Sequence, residues 1–278
     1  MAVEPTPLSA NNQRLSSLRR LTGRRKARLE AGRFVIEGPA AIADLLASGA
    51  TLEELYVDAE TWAEAFTRAG DDDPFVVTVD RAAASGALVW SLGRGVIDSV
   101  SDTVSPQGML AVAPRRSAAI DALAAGTGPV LVLADVADPG NAGTLVRSAE
   151  AAGAAGVVFA GRSTDPFGPK AVRAAAGSLL RLPIAECDSI ADVLLDLQAA
   201  GRILLATVVD GGVPPEELDL TAPIALLIGS EAHGLTEEVI GACDHRVTVP
   251  VAAAVESLNA AVAGSVVLFE ASRQRRVR

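Results

Sequence analysis

The sequence predicts an α/β protein made of two alternating modules that a short linker joins. Apolar runs of strand length alternate with helical segments, which is typical of strands and helices packed in layers. The alternation is interrupted at 113–117, where a proline is followed by two arginines, and restarts with an apolar run at 129–136. That run lacks polar alternation, which indicates a parallel sheet buried on both faces.

The first module contains the elements of one compact domain. We expect one or two helices over 12–31, and further helices over 40–48, 61–69 and 81–92. The strands are expected at 33–36, 52–57, 75–79 and 107–112. Glycines, prolines and aspartates break the chain between them, as at 70–74.

The second module predicts five or six parallel strands, at 129–136, 156–159, 182–185, 202–208, 224–228 and 246–249. Its helices are expected at 144–152, 169–176, 190–200 and 236–243, with a closing helix from 260 to about 272. The domain prediction is therefore a flexible arm over 1–11, a first domain over 12–113, a linker over 114–128 and a second domain over 129–278.

Composition limits the classes of protein that the chain can belong to. Half of the 278 residues are hydrophobic, yet no uninterrupted apolar run is long enough to cross a membrane. A signal peptide is not indicated, because the N-terminal segment leads into arginines rather than an apolar run. Only two cysteines occur, outside any C-x-x-C pattern, so we expect neither a disulfide framework nor a metal site. We expect a cytoplasmic protein.

Charge is distributed unevenly along the chain. Residues 1–36 carry eight basic and two acidic side chains, and residues 271–278 carry four arginines and no acid. The remainder holds 12 basic and 32 acidic residues. Basic ends on an acidic body can bind phosphates locally despite the net charge of −10, although solvated ends would look the same.

Three stretches follow apolar strands, where ligands bind in open α/β sheets. The first runs from Asp135 to Arg147 and contains Asn141; the second spans 227–235 and contains Glu231; the third ends in Ser257-Leu258-Asn259. Each has an ordinary structural interpretation. Asn141 or Ser257 would serve as a helix N-cap, Arg147 would lie on a solvated helix face, and Gly-Ser-Glu is common turn chemistry.

Read together, N-x-G-x-x-x-R, I-G-S-E-x-x-G-L and P-x-x-x-x-x-x-S-L-N are much more specific than any one of them. In this order the second module resembles the SpoU/TrmH family of SPOUT methyltransferases, RNA ribose 2′-O-methyltransferases that use S-adenosylmethionine. The first module resembles the appended L30e-like α/β substrate-binding domain of that family, on residues 26–38 and Pro106-Gln107-Gly108. The layout is more similar to the 23S ribosomal RNA enzymes than to the shorter tRNA members.

The resemblance implies a fold, a cofactor, partners and site residues. It implies a deep trefoil knot in the second domain, S-adenosylmethionine as cofactor, an RNA substrate, and a homodimer with no metal. The catalytic residues that it implies are Arg147, Asn141, Glu231 and Asn259. The implied cofactor-binding residues are Thr207, Val208, Val209, Gly211, Ile228, Gly229, Val249, Pro250, Ser257 and Leu258. The basic residues expected to bind RNA are Arg19, Arg20, Arg24, Arg25, Lys26 and Arg28.

One position departs from the family pattern, and other functions stay open. Relatives often read Ser-Leu-Asn-Val-Ser, whereas Ala261 here lacks the second hydroxyl. The alternatives are a tRNA 2′-O-methyltransferase and a catalytically silent RNA-binding or ribosome-assembly factor on the same fold. A NAD-binding enzyme is disfavoured because the chain has no G-x-G-x-x-G fingerprint at the first of these stretches.

Overall fold

The computed structural model describes residues 2–252 and 257–277, which form two compact units. Unit 1 comprises Met1–Arg115 together with Phe167–Arg173. Unit 2 comprises Arg116–Pro166 and Ala174–Arg278. The segment at 167–173 therefore packs with the first unit, although it follows a strand of the second along the chain.

Unit 1 is built on a mixed five-stranded sheet of order β1-β4-β3-β5-β2. Strands β1, β4 and β3 are parallel, and β5 runs antiparallel to both β3 and β2. The strands are β1 Thr6–Leu8, β2 Arg33–Glu37, β3 Glu54–Asp58, β4 Leu88–Leu92 and β5 Met109–Pro114. The helices are α1 Gln13–Gly23, α2 Arg25–Ala31, α3 Pro39–Ala47, α4 Ala59–Ala69 and α5 Pro74–Ala84.

Helix α1 covers one face of that sheet. Its buried residues Leu15, Leu18 and Leu21 recur at helical spacing and pack with Tyr56 and Val112 of the sheet. Arg19 and Arg20 of α1 are consequently exposed, whereas Arg14 is turned to the sheet and donates to Glu54 Oε1 at 2.6 Å.

Three predictions for unit 1 are wrong. The arm at 1–11 is not loose throughout, because Thr6–Leu8 pairs with β4. The predicted strand at 75–79 is the first half of α5, since Asp73 caps the helix and Pro74 fits its first turn. The predicted helix at 81–92 ends at Ala84, and Leu88–Leu92 is strand β4.

Unit 2 contains a six-stranded sheet of order β11-β9-β10-β6-β7-β8, in which every pair is parallel. Its strands are β6 Val130–Ala134, β7 Gly156–Ala160, β8 Ile184–Cys187, β9 Ile203–Thr207, β10 Ile224–Ile228 and β11 His245–Val247. Strands β6, β7 and β10 are buried along their whole length, as the apolar runs predict.

The remaining helices are α6 Ile120–Ala124, α7 Pro139–Ala151, α8 Pro169–Ala175, α9 Ser178–Arg181, α10 Ile190–Ala199, α11 Glu237–Gly241 and α12 Ala260–Val277. The predicted linker at 114–128 is wrong over α6, whose Leu123 is buried in the core of unit 2. Helix α12 packs closely: a methyl group on Gly264 would lie 2.6 Å from Leu145 Cδ2 and 2.9 Å from Ile228 Cδ1. Among the helices that the structure describes, none has the length and apolarity needed to cross a membrane.

Candidate functional site

The sheet order of unit 2 brings the three motif-bearing stretches to one edge. Strand β10 lies between β9 and β6, with Leu227 level with Ala206 and Ile228 level with Leu133. The carboxyl ends of neighbouring parallel strands meet at the same edge, so the loops after β6, β9 and β10 are adjacent.

Asn141, Glu231 and Asn259 form one hydrogen-bonded chain at this edge. Asn141 Nδ2 donates to Glu231 Oε1 at 3.0 Å, and Asn259 Nδ2 donates to Asn141 Oδ1 at 3.0 Å. These residues are 90 and 118 positions apart in the chain. The structure therefore brings together three of the four residues for which the resemblance implies catalysis.

The Glu231 carboxylate also accepts two backbone N–H groups from the loop after β6. Ala137 N lies 3.2 Å from Oε2, and Asp138 N lies 3.2 Å from Oε1. Partial burial raises the pKa of Glu231, but the hydrogen bonds from Asn141 and the backbone outweigh it and hold the pKa below its ordinary value. Glu231 is therefore ionised at neutral pH and is a weak proton acceptor there.

Helix capping explains how the two asparagines are held. Asp138 caps α7 by accepting from Asn141 N at 2.8 Å, and Pro139 occupies the first turn. Asn259 Oδ1 accepts from Ala261 N at 2.9 Å and Val262 N at 3.3 Å, which caps α12. The interpretations of Asn141 and Ser257 as N-caps are thus wrong, because Asp138 and Asn259 hold those positions.

Arg147 is exposed on α7 and stands apart from the chain of three residues. Six residues of α-helix turn about 600°, which leaves Arg147 about 120° around the axis from Asn141 and about 9 Å along it. Among the described residues, no hydrogen bond or ion pair joins Arg147 to Asn141, Glu231 or Asn259. Its helical neighbour Thr144, three residues earlier, lies beside α12.

The residues expected to hold the cofactor lie on tightly fixed backbone. Val208 N donates to Val247 O at 3.0 Å, and Thr248 Oγ1 donates to Val208 O at 3.1 Å, so the loops after β9 and β11 are joined. Thr207 Oγ1 donates to Leu227 O at 2.7 Å and links β9 to β10. Gly211 has a φ of 74°, in the left-handed region that favours glycine.

The loop after β10 needs its glycines. A methyl group on Gly229 would lie 2.2 Å from the Gly234 carbonyl carbon, and the Ser230 and Gly234 backbones bond to each other at 3.1 and 2.8 Å. Ile228 is buried beneath this turn. The close approach of backbone to backbone fixes the position from which Glu231 reaches the loop after β6.

These loops also present exposed apolar side chains. Val209 is 60% exposed and Val251 is 42% exposed. Val249 and Leu258 are half-buried, and Pro250 and Ser257 are exposed. Residues 253–256 of this stretch lie outside the described residues.

Ala261, where relatives often carry a serine, is buried at 3% exposure against α7. Its carbonyl accepts a hydrogen bond from Ser265 Oγ at 2.6 Å, and Ser265 Oγ lies 2.7 Å from Ser148 Oγ. The contact between α7 and α12 thus includes a serine pair one turn further along. Sequence reasoning missed this pair and the Asp138 cap, although Asp-Pro before a helix is a readable capping signal.

The basic residues of unit 1 divide into exposed and buried members. Arg28 is 5% exposed, and its guanidinium donates to Leu21 O at 2.6 Å and Thr22 O at 3.0 Å. Arg28 therefore joins α1 to α2, and its prediction as an RNA contact is wrong. The exposed members are Arg19, Arg20, Arg24, Arg25 and Lys26.

Comparison with known proteins covers both units. Residues 128–269 match the model of the SpoU rRNA Methylase family, and residues 12–111 match the MRM3-like substrate binding domain. A curated 23S rRNA (uridine(2479)-2′-O)-methyltransferase of Streptomyces viridochromogenes is 31% identical over 96% of this chain and 92% of its own length.

Two solved structures are similar over nearly the full chain. The AdoMet-bound rRNA methyltransferase of Sinorhizobium meliloti has a TM-score of 0.80 at 30% identity, covering 96% of this chain and 97% of that one. The SpoU methyltransferase AviRb of Streptomyces viridochromogenes, in complex with AdoMet, has a TM-score of 0.76 at 29% identity, covering 96% and 100%.

Proposed function

We propose that this chain, which belongs to the SpoU rRNA methylase family, methylates a ribose 2′-hydroxyl of 23S ribosomal RNA. Family membership makes it an RNA 2′-O-methyltransferase that uses S-adenosylmethionine. The observation that carries the choice of RNA is that similarity to the 23S enzyme spans both units, including the substrate-binding module. We place the reaction in the cytoplasm.

S-adenosylmethionine supplies an activated methyl group, and the chain must align the ribose hydroxyl with it. We assign the grip on the cofactor to the loops after β9, β10 and β11 and to 257–258. The Glu231–Asn141–Asn259 hydrogen bonds fix the positions of these side chains in the site, because each amide is bonded at both ends. We expect the chain to pass through a trefoil knot here, with α12 as its last pass.

Arg147 is assigned to the substrate. A guanidinium has hydrogen-bond donors and no acceptor, so we do not assign Arg147 the removal of the hydroxyl proton. It can hold the phosphate next to the target ribose in a bidentate contact and stabilise negative charge that develops on the 2′-oxygen. The low pKa of Glu231 favours an anchoring role for that carboxylate over proton removal.

The exposed face of α12 supports a homodimer. Val262, Val266 and Phe269 recur at helical spacing and are 48%, 41% and 45% exposed. Together with Thr144 of α7 they line an open groove of about 320 Å³. An apolar stripe of this kind on a helix suits a two-fold contact with a second copy, in which the same patch meets itself.

Unit 1 is assigned to RNA binding through the exposed basic residues of α1 and α2. They lie on the outer faces of helices whose inner faces are buried, so their charge is available to phosphates. Arg20 and Lys26 each lie near Glu30, at 4.0 and 3.8 Å, and all three side chains are more than half exposed. Such contacts compete weakly with a polyanion.

The test is ribose methylation of 23S RNA and tRNA transcripts by wild-type protein and Arg147→Ala. We expect the variant to bind S-adenosylmethionine in calorimetry and to lose turnover by about 10²-fold or more, with 23S RNA as the preferred substrate. Arg94→Ala, an equally exposed arginine in unit 1, is the control. Near-normal turnover by Arg147→Ala would refute the assigned role, and preference for tRNA would refute the choice of RNA.

A further inference from the structure

Asp135, the residue directly after β6, has a backbone conformation that few non-glycine residues adopt. Its φ is 58°, and among the described non-glycine residues only Ala176 shares a positive φ. The left-handed region places Cβ close to the following carbonyl, so most residues avoid it, and glycine would adopt it at lower cost. Aspartate at this position therefore needs a reason beyond the turn.

The carboxylate supplies that reason. Asp135 Oδ1 accepts from Arg162 N at 2.6 Å, which ties the end of β6 to the loop after β7. Gly161 makes room for it: a methyl group there would lie 2.4 Å from Asp135 Oδ1, and Gly161 also has a positive φ of 65°. The turns after β6 and β7 thus each contain a residue with positive φ, and the Asp135 carboxylate joins the two turns.

Ser163 holds Val136, the residue after Asp135. It is 6% exposed, its hydroxyl accepts from Val136 N at 3.1 Å, and it lies within bonding distance of Leu133 O at 2.8 Å and Ala160 O at 2.9 Å. Thr164 N donates to Val136 O at 2.9 Å. Both the N–H and the C=O group of Val136 are consequently hydrogen-bonded to the loop after β7.

The next two residues along the chain are Ala137 and Asp138, and their backbone N–H groups both donate to Glu231. Glu231 in turn receives Asn141 Nδ2. We infer that Asp135 is a positioning residue for methyl transfer, whose carboxylate and left-handed backbone aim the 137–138 amides at Glu231 and so place Asn141. This inference depends on the reaction proposed above for the cluster.

Three substitutions separate the two properties of Asp135. Asp135→Asn keeps an acceptor oxygen and tolerates the left-handed region, Asp135→Gly keeps the backbone and loses the acceptor, and Asp135→Ala loses both. Asp121→Ala is the matched control, because the Asp121 carboxylate also accepts one backbone N–H, at 2.8 Å, but lies outside the cluster.

We expect kcat to fall by about 10- to 100-fold in Asp135→Ala, the size of effect that a small misplacement of reacting groups produces. The calorimetric Kd for S-adenosylmethionine should change little, since the Asp135 carboxylate bonds to the loop after β7 rather than to the residues assigned to the cofactor. Asp135→Gly should be intermediate and Asp135→Asn close to wild type, at a temperature well below the Tm of every variant. If Asp135→Ala does not fold, Asp135→Gly carries the comparison.

The inference is overturned if Asp135→Gly or Asp135→Ala retains wild-type kcat, or if Asp135→Asn loses as much as Asp135→Ala. It is also overturned if Asp121→Ala shows the same loss. Arg147→Ala is assayed alongside: if that variant is inactive while Asp135→Ala is normal, only the positioning role fails. If Arg147→Ala is active, the proposed reaction centre fails instead.

Discussion

Arg147 and Asn141 lie on the same helix yet point apart, which predicts that a complete site takes them from different subunits. The angle of about 120° and the rise of about 9 Å between them follow from six residues of α-helix. Thr144 lies between the two, about 60° from each around the axis, and lines the α12 groove that we assign to the dimer contact, so Arg147 lies on the far side of Thr144 from Asn141. In a two-fold dimer this face of one copy meets the other copy, so Arg147 can reach the partner's cluster.

The activity of mixed dimers tests this prediction quantitatively. Arg147→Ala and Asn141→Ala should each be inactive as homodimers, with losses of about 10²-fold or more. Random exchange of equal amounts makes half of the dimers mixed, and each mixed dimer contains one site with both native residues. About a quarter of wild-type site activity should therefore return.

The assay is methyl transfer from labelled S-adenosylmethionine to 23S RNA after the variants are mixed under conditions that allow subunit exchange. Co-expression with two affinity tags and tandem purification isolates the mixed dimer, which should reach about half of wild-type activity because one of its two sites is complete. Mixed dimers that form but stay inactive would refute the reasoning and place both residues in the same subunit's site.

Four further outcomes are expected. Replacing the five exposed basic residues should reduce the slope of log Kd for RNA against log salt by up to about 4, whereas Arg28→Ala should lower the free energy of unfolding instead. Glu231→Gln should weaken the acid sensitivity of stability: the folded-state pKa of Glu231 is lowered, so its contribution is present above the unfolded pKa and is lost as pH falls through the folded pKa. Arg202→Met should cost about 3 kcal/mol in urea denaturation, because the buried guanidinium bonds to five backbone carbonyls and a methionine side chain cannot donate to any of them. Asn259→Asp should keep the cap of α12 and the Tm but lose kcat, since a carboxylate cannot donate to Asn141. The five basic residues replaced in the first of these variants are Arg19, Arg20, Arg24, Arg25 and Lys26.

The parallel sheet of unit 2 could be predicted because each strand is a short, continuous apolar run with a helix after it. Val130–Ala134 and Ile224–Ile228 show no polar alternation, and both are fully buried. The segment at 75–79 misled the same reasoning, since four β-branched residues in a row are typical of a strand. Asp73 and Pro74 override that preference by starting a helix whose Val76, Val79 and Ala82 face the core.

The motifs of the site could be read from the sequence, but their geometry could not. Sequence order places Glu231 90 residues from Asn141, and only the register of β6 against β10 brings them together. The left-handed turn at Asp135 leaves no signal in composition, because aspartate at the end of a strand is ordinary. The placement of Arg147 away from the cluster follows from helix periodicity, which a motif written as a line of letters conceals.

The Glu231–Asn141–Asn259 hydrogen bonds run in one direction, which the groups at the two ends of this chain determine. Ionised Glu231 can only accept, so Asn141 must present its amide nitrogen there, which leaves Asn141 Oδ1 to face Asn259. The first N–H groups of α12 can only donate, so Asn259 must present its oxygen to them, which leaves Asn259 Nδ2 to face Asn141. An acceptor-only group at one end and a donor-only group at the other thus fix the orientation of both amides between them. A serine could cap α12, and an aspartate could cap it as well, but an amide alone combines the cap with a donor that reaches the neighbouring side chain.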